Sequence, residues 1–362
     1  MERIKKLTVK YDGKIVGYLE DVYEDAISFV YDEKWIRTGF SLAPNGLPLA
    51  PGTRYYSKKV FHGLFNESLP GAWGNMIICR LLEKKGVAYY SLSPLEKLMY
   101  VGNNALGALT FEPTHAQKTY IPSADLDLIE RDVYKLSDDD STGVDWDRLF
   151  THCGSCGGER PKAFVKIDGE EWVIYLRRKI DPADIGKRQF DATSAAKACG
   201  INTGEFRLFQ TKSFGSLFGA KRFDRKGTTR LHTVSVASMM EFKVDPDKVD
   251  YLHLFQLIYG NCADKSDMYE MFRRMAFNVL YGNNNDSSAN VSFVYDESRG
   301  GYRLAPAYAV IKKPAPGKKM LVCQSKNPTK ADMLRIASIM DLSETECNKI
   351  IQNTELKIRN LI

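Results

Sequence analysis

Residues 266–304, SDMYEMFRRMAFNVLYGNNNDSSANVSFVYDESRGGYRL, limit the possible folds more than any other stretch of the chain. Met268, Met271, Phe272, Met275 and Val279 recur at helical spacing, which predicts a helix whose Met-rich face is core. Gly282 ends that helix, a polar run follows, and two short strands flank Ser298-Arg299-Gly300-Gly301. A helix feeding a polar loop on a hairpin has the form of a catalytic loop. In phosphoryl transfer such a loop carries a base and metal-binding carboxylates, because the acceptor loses a proton beside a nucleotide whose charge Mg²⁺ holds. Here the run GNNNDSSAN is mostly amides and hydroxyls.

The 362 residues suffice for two or three compact units, and 44% apolar with 27% charged residues is the make-up of an ordinary globular chain. A net charge of +6 is compatible with a nucleic-acid-bound complex, but charge of this size is mostly solvated surface. Seven scattered cysteines and an N-terminus that begins MERIKK, with no apolar signal segment, predict free thiols in a reducing cytoplasm. Cys153-Gly-Ser-Cys156, beside His152, has the spacing of half a zinc or redox site, and no second pair lies at ligand spacing. No apolar run reaches the roughly 20 residues of a membrane span, so no membrane partner is expected.

Alternation on both sides of Asp12-Gly13, followed by AISFVYD, predicts an opening β-meander. FHGLFNESLPGAWGNMIICRLLEKKG predicts a helix with Trp73, Ile77 and Leu81 on one face, ended by Gly86. Ser93-Pro94-Leu95-Glu96 is a capping box opening a second helix, and VGNNALGALTFEP reads as a turn and a strand. Residues 124–147 hold nine Asp or Glu, Asp138-Asp139-Asp140 among them, and predict a solvated acidic connection with a short helix. Glycine-rich THCGSCGGERPK then precedes two strands that end in WVIYLRR, and RQFDATSAAKACG predicts a helix stopped by Gly200. Lys312, Lys313, Lys318 and Lys319 flank a Pro-Ala-Pro-Gly segment and predict a solvated basic loop, and two helices, the second capped by Ser343, close the chain.

FNESLPGAWGNMIICRLLEKKG, SPLEKLMYVGNNALGALTFEP, GSCGGERPKAFV, AKRFDR, GNNNDSSAN and YRLAPAY, in this order, resemble the HipA family of bacterial serine/threonine kinase toxins from toxin–antitoxin modules. The resemblance covers nearly the whole chain. It implies an α+β, two-lobed protein-kinase-like fold with a small β-rich N-terminal subdomain and a mostly helical C-terminal lobe. The implied divisions are an N-terminal subdomain over 1–115, the acidic connection over 116–150, a small lobe with its glycine-rich loop over 151–235, and a helical lobe over 236–362.

The resemblance also implies ATP and Mg²⁺ as cofactors, with Ser155, Gly157, Gly158 and Lys162 in the nucleotide-binding loop and Ser155 as a regulatory phosphosite. At the matching positions, however, Tyr175 stands for the phosphate-binding lysine and Gln189, eleven residues before Gly200, for the acidic residue of the following helix. Asn285 stands at the base, Asn290 at a retained metal ligand, and Ala309 of LAPAYA where the second metal-binding Asp belongs. An amide accepts no proton from a substrate hydroxyl, and losing a positioned base costs about 10²–10⁴-fold in rate. Ala309 offers Mg²⁺ no side-chain oxygen.

The expectation is a degenerate kinase acting by protein binding or regulation in a toxin–antitoxin complex. Its partners would be a HipB-like helix-turn-helix antitoxin, DNA through it, and a protein substrate or partner kinase. The alternative is an active divergent kinase that phosphorylates a translation component and autophosphorylates Ser155, with Asp286 as substitute base or Lys166 in place of Tyr175. The spacing from base to Asn is five in the family, which 285 to 290 satisfies and 286 to 290 does not.

Overall fold

The structure is a computed structural model that describes residues 4–23, 26–57, 62–101, 105–115, 124–136, 141–240, 248–262, 264–312 and 319–361. Asp138–Asp140, Lys313 and Lys318, singled out from the sequence, lie outside the described residues. The chain divides into two compact units, Met1–Gly186 with Arg207–Thr233, and Lys187–Phe206 with Val234–Ile362. The N-terminal, connecting and most of the small-lobe segments expected from the sequence fall in the first unit, while most of the helix after the small-lobe strands groups with the second.

In the first unit β1 (Lys6–Tyr11) and β2 (Lys14–Tyr23) form a hairpin. Its turn residues Asp12 and Gly13 have φ of 47° and 72°, as a type I′ turn requires. β3 (Ala26–Tyr31), helix α1 (Glu33–Thr38), β4 (Arg54–Tyr56) and β5 (Leu109–Glu112) complete an antiparallel sheet in the order β4-β3-β2-β1-β5. Leu7, Val9, Val16, Leu19 and Phe29 are buried from it. Helices α2 (Gly63–Ser68), α3 (Ala72–Lys84) and α4 (Pro94–Met99) lie between β4 and β5 in sequence. Ser93 and Glu96 form the reciprocal capping box at α4, with Pro94 at its first position.

The described residues of the acidic stretch are more than a solvated connection with a short helix: they form α5 (Leu126–Leu136) and the start of α6 (Trp146–Cys153), and Ile129, Val133, Trp146 and Leu149 join Val165, Trp172 and Ile174 in one core cluster. Two of its carboxylates are buried with partners. Asp132 bonds Arg148 and Arg131, and Glu130 accepts the Arg177 N–H at 2.9 Å. The helical signal is Leu126, Ile129 and Val133 at i, i+3 and i+7, which the excess of acid obscures.

β6 (Lys162–Ile167) and β7 (Glu170–Tyr175) pair antiparallel, with Lys162 directly opposite Tyr175. α7 (Ile185–Ala198) follows, most of it in the second unit. β8 (Phe206–Gln210) and β9 (Ser216–Lys221) give a second sheet in the order β6-β7-β9-β8, and β10 (Arg225–Lys226) pairs with β11 (Thr229–Arg230).

The second unit holds the predicted Met-rich helix. β12 (Thr233–Ser235) and α8 (Val236–Met240) precede α9 (Tyr251–Asn261) and α10 (Ser266–Tyr281). Met268, Met271, Phe272 and Met275 are buried on α10, and Gly282 caps it in the left-handed conformation at φ 75°. β13 (Ser292–Asp296) and β14 (Gly301–Leu304) form the hairpin and, with β12, a three-stranded sheet. α11 (Lys330–Ile339) and α12 (Glu344–Arg359) close the chain, with the Ser343 side chain capping α12. Among the described residues no helix is long and apolar enough to cross a membrane.

Candidate functional site

In the first unit, the glycine-rich loop runs from the end of α6 into β6. Gly158, at φ 80°, makes the turn that a side chain would strain. Lys162 Nζ donates to the Gly157 carbonyl at 2.8 Å and lies 5.7 Å from the Tyr175 ring centroid. Burial pushes the Lys162 ammonium down and the Tyr175 phenol up to about 12, so Tyr175 is neutral across the physiological range. Tyr175 also rests on Phe218, with ring centroids 5.6 Å apart. Ser155 is half-buried in the same loop. Lys166 pairs with Glu171 four residues further along the ladder, about 13 Å from the Lys162–Tyr175 pair at strand rise, and does not take the place of Tyr175.

Cys153 and Cys156 are buried free thiols, both pushed up by burial, and His152 Nδ1 is 3.0 Å from the Phe164 carbonyl. Among the described residues no cluster of His, Cys, Asp or Glu could hold a metal ion. Arg222 and Asp224 form a buried two-point ion pair at 3.0 and 2.7 Å. Asp224 also accepts the Gly107 N–H at 2.8 Å and Arg225 at 2.8 Å. Burial alone would raise Asp224, but Arg222 and Arg225 hold it well below the usual carboxylate range.

In the second unit, the polar run after Gly282 is linked by amide hydrogen bonds. Asn285 Nδ2 donates to the Ala309 carbonyl at 3.0 Å, and Asn290 Nδ2 to the Asn285 carbonyl at 2.8 Å. Asn283 Oδ1 accepts the Asn285 N–H at 3.0 Å, while its Nδ2 donates to Asn278 Oδ1 at 3.0 Å. Asn285, Asn290 and Ala309, the base and metal positions named from the sequence, are thus brought together by the fold. Ala309 itself has φ 57°, a left-handed conformation costly for alanine.

Asp286 is buried, with one carboxylate oxygen held by Tyr251. Tyr251 Oη donates to Asp286 Oδ2 at 2.7 Å and accepts from Asn278 Nδ2 at 2.9 Å. Burial pushes the Asp286 carboxyl up to about 7, opposed by the hydrogen bonds from Tyr251 and Asn278. A cavity of about 30 Å³, room for a water molecule, is lined by Asn283, Asn285, Asp286, Asn290 and Tyr308. Gln189 is buried on α7 of this unit. Sequence reasoning missed Tyr251, Asn278 and Asn283. The available signal was Asn278 itself, an amide seven residues beyond Met271 on the apolar face of α10.

Comparison with known proteins places this geometry. Residues 7–112 match the HipA N-terminal domain and residues 154–362 the HipA-like C-terminal domain. The chain belongs to the HipA family. Among solved structures it is similar to the HipA toxin of Shewanella oneidensis MR-1 in a complex with HipB and operator DNA. The TM-score is 0.71 at 16% identity, over 98% of this chain and 89% of that one. The Helicobacter pylori proinflammatory kinase CtkA overlaps 56% of this chain and 88% of its own, at TM-score 0.36 and 14% identity. No curated protein sequence matches. The fold is the α+β, kinase-like HipA fold, β-rich at the N-terminal end and helical towards the C-terminus.

Proposed function

We propose that this HipA-family chain is a catalytically silent kinase fold that works by holding partner proteins. The hydrogen bond from Asn285 Nδ2 to the Ala309 carbonyl carries this reading. The two positions at which the family resemblance implies a base and a metal ligand are spent on each other, in a contact that a carboxylate at 285 could not make. An aspartate there would set oxygen against oxygen.

The donor set fits Mg²⁺ poorly. A hard dication prefers anionic oxygens; Asn290 keeps the amide oxygen of the family's Asn position, but Ala309 offers no side-chain oxygen and Asp286 Oδ2 already accepts the Tyr251 hydroxyl. Nor does Tyr175 supply the cation that would neutralise phosphate charge. Asp286 makes a poor substitute base, because its Oδ2 already accepts the Tyr251 hydroxyl in a buried site.

The partner this reading implies is a HipB-type helix-turn-helix protein, with DNA reached through it. Membership of the family and similarity to a HipA bound to HipB and operator DNA support it. The test is intact-mass measurement after prolonged incubation with ATP and Mg²⁺, run beside co-purification with a HipB-type helix-turn-helix protein. The expected result is an unmodified chain in a stable complex. A phosphate on Ser155 would replace this reading with an active, divergent kinase.

A further inference from the structure

Glycines from two segments far apart in sequence, Gly71 and Gly74 on one and Gly154 and Gly158 on the other, meet where α3 begins. The Gly71 N–H, which the helix geometry leaves without a partner inside α3, donates to the Cys156 carbonyl at 3.0 Å. A β-carbon on Gly71 would stand 2.0–2.6 Å from the Gly158 backbone. One on Gly74 would stand 2.9 Å from the Gly154 carbonyl oxygen and 3.1 Å from that of Cys156. Backbone therefore packs on backbone, with no side chain between the first turn of α3 and the loop that holds Ser155. Cys156 completes the contact from the other side, buried against Phe164.

We infer that the first turn of α3 is a latch on the glycine-rich loop, keeping it down against the N-terminal part of the chain. A partner that shifts this turn also moves the segment carrying Ser155. The latch needs neither nucleotide nor metal, so it stands apart from the reading of the second unit. Its contact tolerates no added atom: Gly71→Ala must either push α3 away or lift the loop, and α3 is fixed by buried Ile77, Ile78, Leu81 and Leu82. The loop is the part that yields.

Hydrogen–deuterium exchange on the full chain, read by mass spectrometry, tests this. Gly71→Ala is expected to speed exchange across residues 154–160 by about tenfold, while α3 beyond its first turn, β6 and β7 keep wild-type rates. Lys162→Met, which removes the Lys162–Gly157 tether and the Lys162 charge beside Tyr175 but leaves the glycine contact, is expected to leave most of the protection in place. Unchanged loop exchange in folded Gly71→Ala would overturn the latch, as would a rise spread evenly over β6 and β7, or an equal effect from Lys162→Met. Should Gly71→Ala fail to fold, exchange of the wild-type chain in low denaturant decides. A latch has residues 71–75 and 154–158 opening as one unit, and separate openings overturn it.

Discussion

Asn285→Asp restores a carboxylate at the family's base position and is expected to damage the protein instead of waking it. The substitution removes the donor to the Ala309 carbonyl, a hydrogen bond worth about 1 kcal/mol net. It also sets an ionised oxygen against a carbonyl oxygen now short of a donor, which costs a further ~1–3 kcal/mol. At about 2–4 °C per kcal/mol for a unit of this size, the melting temperature near pH 7.5 should fall by about 4–16 °C. The sign of the pH dependence follows. The facing carbonyl favours the protonated acid, so the folded-state pKa of the new aspartate lies above its unfolded value. The deficit is full above that folded value and shrinks as pH falls through it, because the protonated acid can donate to Ala309. Calorimetric melts near pH 7.5 and near pH 5, with phosphotransfer assayed on the same samples, check both limbs. A variant as stable as wild type at the higher pH, or one that gains phosphotransfer, would refute the reasoning.

Three further outcomes follow from other buried groups. Glu130→Gln should flatten the fall in stability between about pH 5 and 8, because a carboxyl raised by burial from 4.5 to about 7 loses its stabilising protonation as pH rises; the gain at pH 8 is at most about 3 kcal/mol, read by urea denaturation. Asp286 shifts in the same direction, so part of the slope should remain in that variant. Asp224→Asn leaves Arg222 and Arg225 the more distant Glu171 carboxylate, at 3.5 and 3.3 Å, and should cost up to about 3–5 kcal/mol in the same measurement, whereas a loss below about 1 kcal/mol would deny the ion pair its anchoring role. Ala309→Gly relieves a left-handed alanine and should stabilise the second unit by about 1 kcal/mol, visible as a raised melting temperature.

Local patterns in the sequence carried over well because short-range geometry decides them. The Asp12-Gly13 turn, the Ser93–Glu96 capping box and the methionine stripe of α10 each depend on residues a few positions apart. The acidic stretch misled because the partners that make burial of Glu130 and Asp132 tolerable are Arg177 and Arg148, on elements that only folding brings near. The neutral residues of the site were legible as substitutions but not as a structure. That Asn285 would hold Ala309 across 24 residues, and Asp286 turn to Tyr251 across 35, depends on the return of the chain after β14 and on α9. The contact of Gly71 with Gly158 was equally invisible, since glycine leaves no pattern in a periodicity.

Titration calorimetry with ATP, repeated with and without Mg²⁺, addresses the silence of the kinase centre most directly. With Asn285 hydrogen-bonded to the Ala309 carbonyl and Asp286 Oδ2 accepting from Tyr251, adding Mg²⁺ should leave any ATP heat unchanged. Saturable ATP binding that appears only with Mg²⁺ would contradict it.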